Sequence, residues 1–213
     1  MSFFEPPPKP LTPLGYHRIL SPTASVKVSP LCLGGISIGS SWSELFGKNE
    51  DPFSLLDAYF SLGGNFIDTA NTYCGEESER LIGQWMESRN NRDQMVIATK
   101  YTAGYRAYSR EKEPLQSNYT GNSAKSMHVS TKDSLRKLRT DYIDILYVHW
   151  YVLHFHVKLL GVKFTRWDFA TSVEEVMSHL HALVMARQVL YLGVSDTPAW
   201  VVVKANTCEL PID

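Results

Sequence analysis

Short apolar runs and amphipathic stretches alternate through this chain five times. Leu31-Cys32-Leu33 reads as a buried strand that runs into the loop glycines Gly34 and Gly35. A helix follows, opened by Asp51-Pro52 as N-cap and first residue and closed by Gly63-Gly64. The pattern then repeats: strand 65–68 and helix 75–89, then strand 94–99, a tyrosine-rich loop and helix 122–138. Strand 142–148 leads to helix 172–186, where Ser172-x-x-Glu175 reads as a capping box, and strand 189–194 precedes a helix near 198–206. Strands of this length separated by amphipathic helices specify a parallel sheet covered by helices.

The fold class expected is α/β, an incomplete (β/α)8 TIM barrel with about five of the eight βα units present. Residues 1–13 carry Pro6, Pro7, Pro8, Pro10 and Pro13 and read as an extended arm, leaving 14–213 as the partial barrel. Residues 14–29 alternate well enough for a hairpin with Ser21-Pro22 at its turn.

In a parallel barrel all strands open their carboxyl ends onto one face, where active sites form. Asp68, Lys100 and His149 each close a strand, and Tyr73 follows the first of them on a loop. Four residues far apart in the chain are thereby predicted to meet at one mouth. Together they suit proton delivery to a carbonyl oxygen. A free phenol has a pKa of about 10, and a neighbouring ammonium favours the phenolate. Lys100 is placed to supply that ammonium, with Asp68 as its counter-ion. His149 would orient the carbonyl, and general acid catalysis of this kind contributes roughly 10²–10⁴-fold. Each residue also has an ordinary structural reading: a helix cap for Asp68, a solvated charge for Lys100, packing for Tyr73, a core-edge histidine for His149.

The bulk numbers exclude several functions. A net charge of −1 on 213 residues gives no electrostatic case for nucleic acid or an anionic membrane. The longest apolar stretches fall far short of the roughly 20 residues that span a bilayer, and the proline-rich start has no apolar signal region. Three cysteines without metal or redox spacing fit a reducing, cytoplasmic location. No metal site is expected: His179-x-His181 lies on a helix, where residues two apart do not face each other. Gly34-Gly35-x-x-x-Gly39 is not the dinucleotide fingerprint and reads as loop glycines above a barrel strand. Trp42, Trp150 and the loop bearing Tyr101, Tyr105, Tyr108 and Tyr119 are the candidates for substrate contact.

Gly-Asn-Phe-Ile-Asp-Thr-Ala-Asn-Thr-Tyr at 64–73, with Gly75 and Glu79 after it, closely resembles the signature of the aldo-keto reductases. Lys100 and His149 complete that family's tetrad. The segments 118–128 and 134–144 resemble the aryl-alcohol-dehydrogenase branch. Within it they are similar to norsolorinic-acid-reductase-like enzymes of fungal secondary-metabolite clusters, including austinol-type meroterpenoid clusters. The resemblance implies NADP as cofactor, an aldehyde, ketone or alcohol as substrate, and Tyr73 as proton donor with hydride from NADPH. It also implies a nicotinamide site that includes Asp68, Gly34, Gly35, Ser195 and Asp196; Asp196 stands where many members have asparagine. It gives no oligomeric state.

Two departures stand out. Relatives usually run His-Trp-Trp-Asp-Phe unbroken, whereas here sixteen residues, Tyr151 to Arg166, separate His149-Trp150 from Trp167-Asp168-Phe169. Tryptophan-tyrosine-valine codons permit an intron donor and sixteen codons keep the frame, so 151–166 reads as a retained intron, with a real loop as the alternative. The chain also stops where relatives continue through three more strands, with the residues that cradle the nicotinamide and grip the 2′-phosphate. Poor solubility and weak NADPH binding are expected when it is expressed alone. A non-catalytic remnant and a nicotinamide-binding regulatory module are the rival functions.

Overall fold

The structure, a computed structural model, describes residues 8–47, 51–149, 151–152 and 165–208. Strands β1 (Arg18–Ser21) and β2 (Ala24–Val28) form the expected antiparallel hairpin. Five further strands lie parallel in one sheet: β3 (Leu33–Gly34), β4 (Phe66–Asp68), β5 (Val96–Tyr101), β6 (Ile143–Val148) and β9 (Val189–Val194), adjacent in that order. Between β6 and β9 runs a two-stranded ribbon of β7 (Tyr151–Val152) and β8 (Thr165–Arg166). The helices are α1 (Ser43–Phe46), α2 (Pro52–Ser61), α3 (Glu77–Arg89), α4 (Ala124–Leu138), α5 (Val173–Met185) and α6 (Ala199–Asn206). Five strand-then-helix units of the (β/α)8 plan are therefore present.

Local chemistry sets the helix ends. The Asp51 carboxylate accepts from the backbone N–H groups of Phe53 and Ser54, and Ser123 caps α4 by accepting from Ser126. Ser172 caps α5 through the N–H of Glu175. The reciprocal half of the expected capping box is replaced: Glu175 Oε1 accepts instead from the N–H of Ala124, so the carboxylate joins α5 to the start of α4. Gly63 closes α2 at a φ of +94°, open to glycine without strain.

Register decides what each face of the sheet carries. Asp68 pairs with Ala98, Lys100 with Tyr147, and Tyr147 with Gly193. Because side chains alternate along a strand, the face holding Asp68 also holds Val96, Ala98, Lys100, Ile145 and Tyr147. The opposite face, with Ile67, Ile97, Leu146 and Val148, packs on Ile82, Trp85 and Met86 of α3, Met127 and Leu138 of α4, and Val176 and Leu180 of α5. On the first face Val26 and Val28 of the hairpin cover Val96 and Ile145. Asn65 ties the hairpin down, accepting from Ser29 N–H (2.7 Å) and donating to Lys27 C=O (3.0 Å). The amino ends of the strands are covered in this way, which leaves their carboxyl ends for the site.

Strand β9 pairs only with β6 on the described part of the sheet, so its far edge is free. Leu190, Leu192 and Val194 are 42%, 38% and 45% exposed, against 0% for Val189 at the covered end of the same strand. That row of apolar side chains beside an unpaired edge is the exposed surface expected of a partial barrel. An apolar hollow of about 190 Å³ lies between β6, β9, α5 and α6, on the helix side of the sheet. The proline-rich arm falls partly, and the centre of 151–166 wholly, outside the described residues. Among the described residues no helix is long and apolar enough to cross a membrane.

Candidate active site

The carboxyl ends of β4, β5 and β6 bring the predicted residues together. Asp68 is the last residue of β4, Lys100 the penultimate residue of β5, and His149 follows β6 directly. Tyr73 opens a short 3-10 turn after β4, its N–H bonded to Ala70 C=O. Asp68 Oδ2 lies 2.5 Å from Lys100 Nζ, which also donates to Thr69 C=O at 2.7 Å. The ammonium is thus held by a charge and a carbonyl although its side chain is only 7% exposed. Its nitrogen sits 4.8 Å from the centre of the Tyr73 ring and 5.8 Å from that of Tyr147, within cation–π range.

The His149 ring meets the Tyr73 ring edge-on, centroids 6.3 Å apart. Burial pushes the His149 imidazole down to about 3, with the Lys100 ammonium adding to the effect. It is therefore neutral near pH 7, able to donate a hydrogen bond without carrying charge. On the other side of Tyr73 stands Trp42, ring centroids 6.3 Å apart, its indole N–H donating to Tyr108 OH at 2.9 Å. Trp42 and the exposed Tyr108 form an aromatic wall beside the phenol. Trp150 lies outside the described residues.

The glycines divide in role. A side chain on Gly34 would meet nothing within 4 Å, so this position leaves room beside Asp68. One on Gly35 would strike Asp68 C=O and Ser78 Oγ, and its N–H donates to Asp68 C=O at 2.6 Å. Gly35 is therefore packed tightly against the end of β4 and the first turn of α3. Ser195 is partly exposed just beyond β9, its N–H bonded to Val148 C=O at 2.9 Å, and Asp196 takes a left-handed φ of +54°.

Two supporting networks were not foreseen. Asp168, 7% exposed, accepts from Asn122 N–H (2.7 Å), Thr171 Oγ1 (2.8 Å) and Ala170 N–H (3.0 Å). Asn122 Oδ1 in turn accepts from Thr102 Oγ1 at 2.7 Å, and that hydroxyl accepts from His149 N–H at 3.3 Å. Thr102 holds a φ of +98°, an uncommon conformation for a β-branched residue, two positions after Lys100. Asp168 stands beyond the sixteen-residue segment, yet the β7–β8 ribbon returns the chain to where it left, opposing Tyr151 to Arg166. The second network joins Glu79 on α3 to Lys137 on α4. Glu79 sits at helical spacing with the apolar Ile82 and Met86, a readable signal of buried charge, whereas Lys137 shares its helix face with Ser130, Asp133 and Ser134 and offers none.

A five-stranded parallel sheet thus brings Asp68, Tyr73, Lys100 and His149 together at its carboxyl ends, the face on which parallel barrels build their sites. Residues 30–213 match the Aldo/keto reductase family, and the chain belongs to it. It is 53% identical over 201 residues (93% of this chain, 47% of that protein) to norsolorinic acid reductase A of Aspergillus parasiticus. Against aryl-alcohol dehydrogenase [NADP(+)] of Phanerodontia chrysosporium it is 53% identical over 211 residues (97% and 50%). The aldo-keto reductase ausK of Aspergillus calidoustus is 52% identical over 209 residues (97% and 48%). The chain spans about half the length of the curated relatives it matches.

Proposed function

We propose that this chain carries the proton-delivering half of an NADPH-dependent carbonyl reductase of fungal secondary metabolism. The reaction is reduction of an aldehyde or ketone, or oxidation of the alcohol in reverse. The observation that carries the reading is the Lys100 ammonium, anchored by Asp68 and lying 4.8 Å from the Tyr73 ring centre, with a neutral His149 across that ring. NADPH, when bound, supplies the hydride to the carbonyl carbon. Tyr73 gives its hydroxyl proton to the carbonyl oxygen, and the phenolate left behind is stabilised by Lys100 until solvent reprotonates it. His149 hydrogen-bonds the same oxygen. Gly34, Gly35, Ser195 and Asp196 are assigned to the nicotinamide side with Asp68: the open space at Gly34 and the part-exposed Ser195 suit a group laid across the strand ends.

The wall of Trp42 and Tyr108 favours a planar aromatic substrate, of the aromatic polyketide or meroterpenoid class. The names of the matched relatives, which include a norsolorinic acid reductase and an aryl-alcohol dehydrogenase, support the same choice. One observation favours a second reading. Among the described residues β9 pairs only with β6, and an unpaired sheet edge fits a non-catalytic remnant or a nicotinamide-binding regulatory module.

One experiment separates these: NADPH binding to the full chain by fluorescence, together with NADPH consumption in the presence of an aryl aldehyde. Turnover establishes the reductase. Binding without turnover establishes the module, and neither overturns both in favour of the remnant.

A further inference from the structure

Behind the tetrad, on the helix side of β5, lies a sealed charge cluster. Glu79 is fully buried, and its Oε2 stands 2.7 Å from Nζ of Lys137, whose side chain is 1% exposed. Each partner grips one of the two segments that carry the reactive groups. Glu79 Oε1 accepts from Thr99 Oγ1 at 2.6 Å, and Thr99 immediately precedes Lys100. Lys137 Nζ donates to the backbone C=O of Asn71 at 3.3 Å, two residues before Tyr73, and meets Glu76 Oε2 at 3.2 Å in the Tyr73 turn. The circuit closes through the backbone, where Asn71 N–H donates to Lys100 C=O at 3.1 Å.

A charged pair this deep is costly to desolvate, and a hydrophobic pair of similar volume often serves stability as well or better. Its geometry suggests a different gain. Thr99 and Asn71 lie on adjacent chain segments, and a rigid link between them fixes the separation of Lys100 from Tyr73. The close crossing of α3 and α4 makes the link possible: a side chain on Gly83 would collide with the backbone of Lys137 and Leu138.

We propose that Glu79 and Lys137 are positioning residues, a buried ionic clamp that holds the end of β5 to the β4–α3 loop and so sets the spacing of Lys100 and Tyr73. The proposal rests on reading Tyr73 and Lys100 as the proton-delivering pair. Neither clamp residue touches the reacting atoms; both act through Thr99 and Asn71.

The test uses the full chain labelled for NMR, reading the Lys100 ammonium and the Tyr73 ring carbon that bears the hydroxyl at one fixed pH. Lys100→Met and Tyr73→Phe assign the two signals. Thr99→Val cuts the tie to β5 while leaving both charges in place. Thr131→Val is the control, removing a buried α4 hydroxyl that has no partner among the described residues. We expect Thr99→Val to move both signals at least three-fold further than the control does, in a chain that still melts cooperatively. A Thr99→Val protein that melts at lower temperature but keeps both signals in place would overturn the clamp and leave the pair a purely structural one. Should Thr99→Val fail to fold, Lys137→Arg is read the same way, since it keeps the charge and alters the reach to Asn71. A Tyr73 signal indifferent to Lys100→Met would instead count against the proton-delivering pair, while the Thr99→Val shifts still decide the clamp.

Discussion

Lys100 and Lys137 are both buried ammonium groups, one on each side of the sheet, yet their surroundings differ in one decisive respect. Glu79, the nearest partner of Lys137, is fully buried, whereas the side chain of Asp68, the partner of Lys100, is 30% exposed. Lys137 is enclosed by Glu79, Glu76 and the Tyr105 ring and has nothing left to offer. Lys100 has one fixed carboxylate, one carbonyl and two aromatic rings, with the open mouth beyond. A sealed pair can only hold structure; a pair open on one side can respond to charge that develops beside it.

The largest contrast should appear in stability. Lys137→Met leaves Glu79 charged and sealed, and we expect it to cost about 3–5 kcal/mol in urea unfolding. Lys100→Met leaves Asp68 within reach of water and should cost about 1–2 kcal/mol. Equal costs for the two would break the distinction.

A second contrast lies in pH. The imidazole of His149 is held near 3 in the folded chain against about 6.5 when unfolded. The unfolded chain therefore binds a proton that the folded one refuses between those values, so stability is full above about 6.5 and falls as pH drops toward 3. The slope from this group is at most about 1.4 kcal/mol per pH unit. Denaturation of His149→Asn across the window should lack that component; an unchanged slope would show that His149 is not buried as described.

The smallest contrast is between adjacent glycines. Gly35→Ala forces a side chain onto Asp68 C=O and should cost about 1–3 kcal/mol. Gly34→Ala projects into open space and should change stability by less than about 0.5 kcal/mol. The Gly34 variant should instead weaken NADPH binding, measured by fluorescence titration. If it leaves binding intact, Gly34 does not belong to the cofactor side.

Much of this arrangement was legible in the sequence because the signals were local. Asp51-Pro52 and Gly63 bound a helix through capping and left-handed turns, and the structure places it at Pro52–Ser61. The polar ends of three apolar runs located Asp68, Lys100 and His149 before any contact was known, since a parallel sheet delivers all its carboxyl ends to one side. Strand β5 shows where local reading loses accuracy: expected over 94–99, it runs over Val96–Tyr101, because pairing with β4 and β6 sets its ends. The capping box at Ser172 failed in its second half for a related reason, as Glu175 found a partner on another helix. Glu79 bonded to Thr99 and Lys137, and Asp168 bonded to Asn122, depend on contacts between distant segments. Periodicity shows that Glu79 faces inward and is silent on what it meets there; Asp168 lies on a loop, where no period applies.

The central claim is that the Tyr73 hydroxyl hands its proton to a carbonyl oxygen at this mouth. Its most direct test is the single-turnover rate of aryl-aldehyde reduction by NADPH, measured for the chain and for Tyr73→Phe at matched cofactor occupancy. We expect the substitution to slow reduction by about 10²–10⁴-fold with NADPH binding unchanged. A Tyr73→Phe protein that reduces the aldehyde as fast as the parent would contradict it.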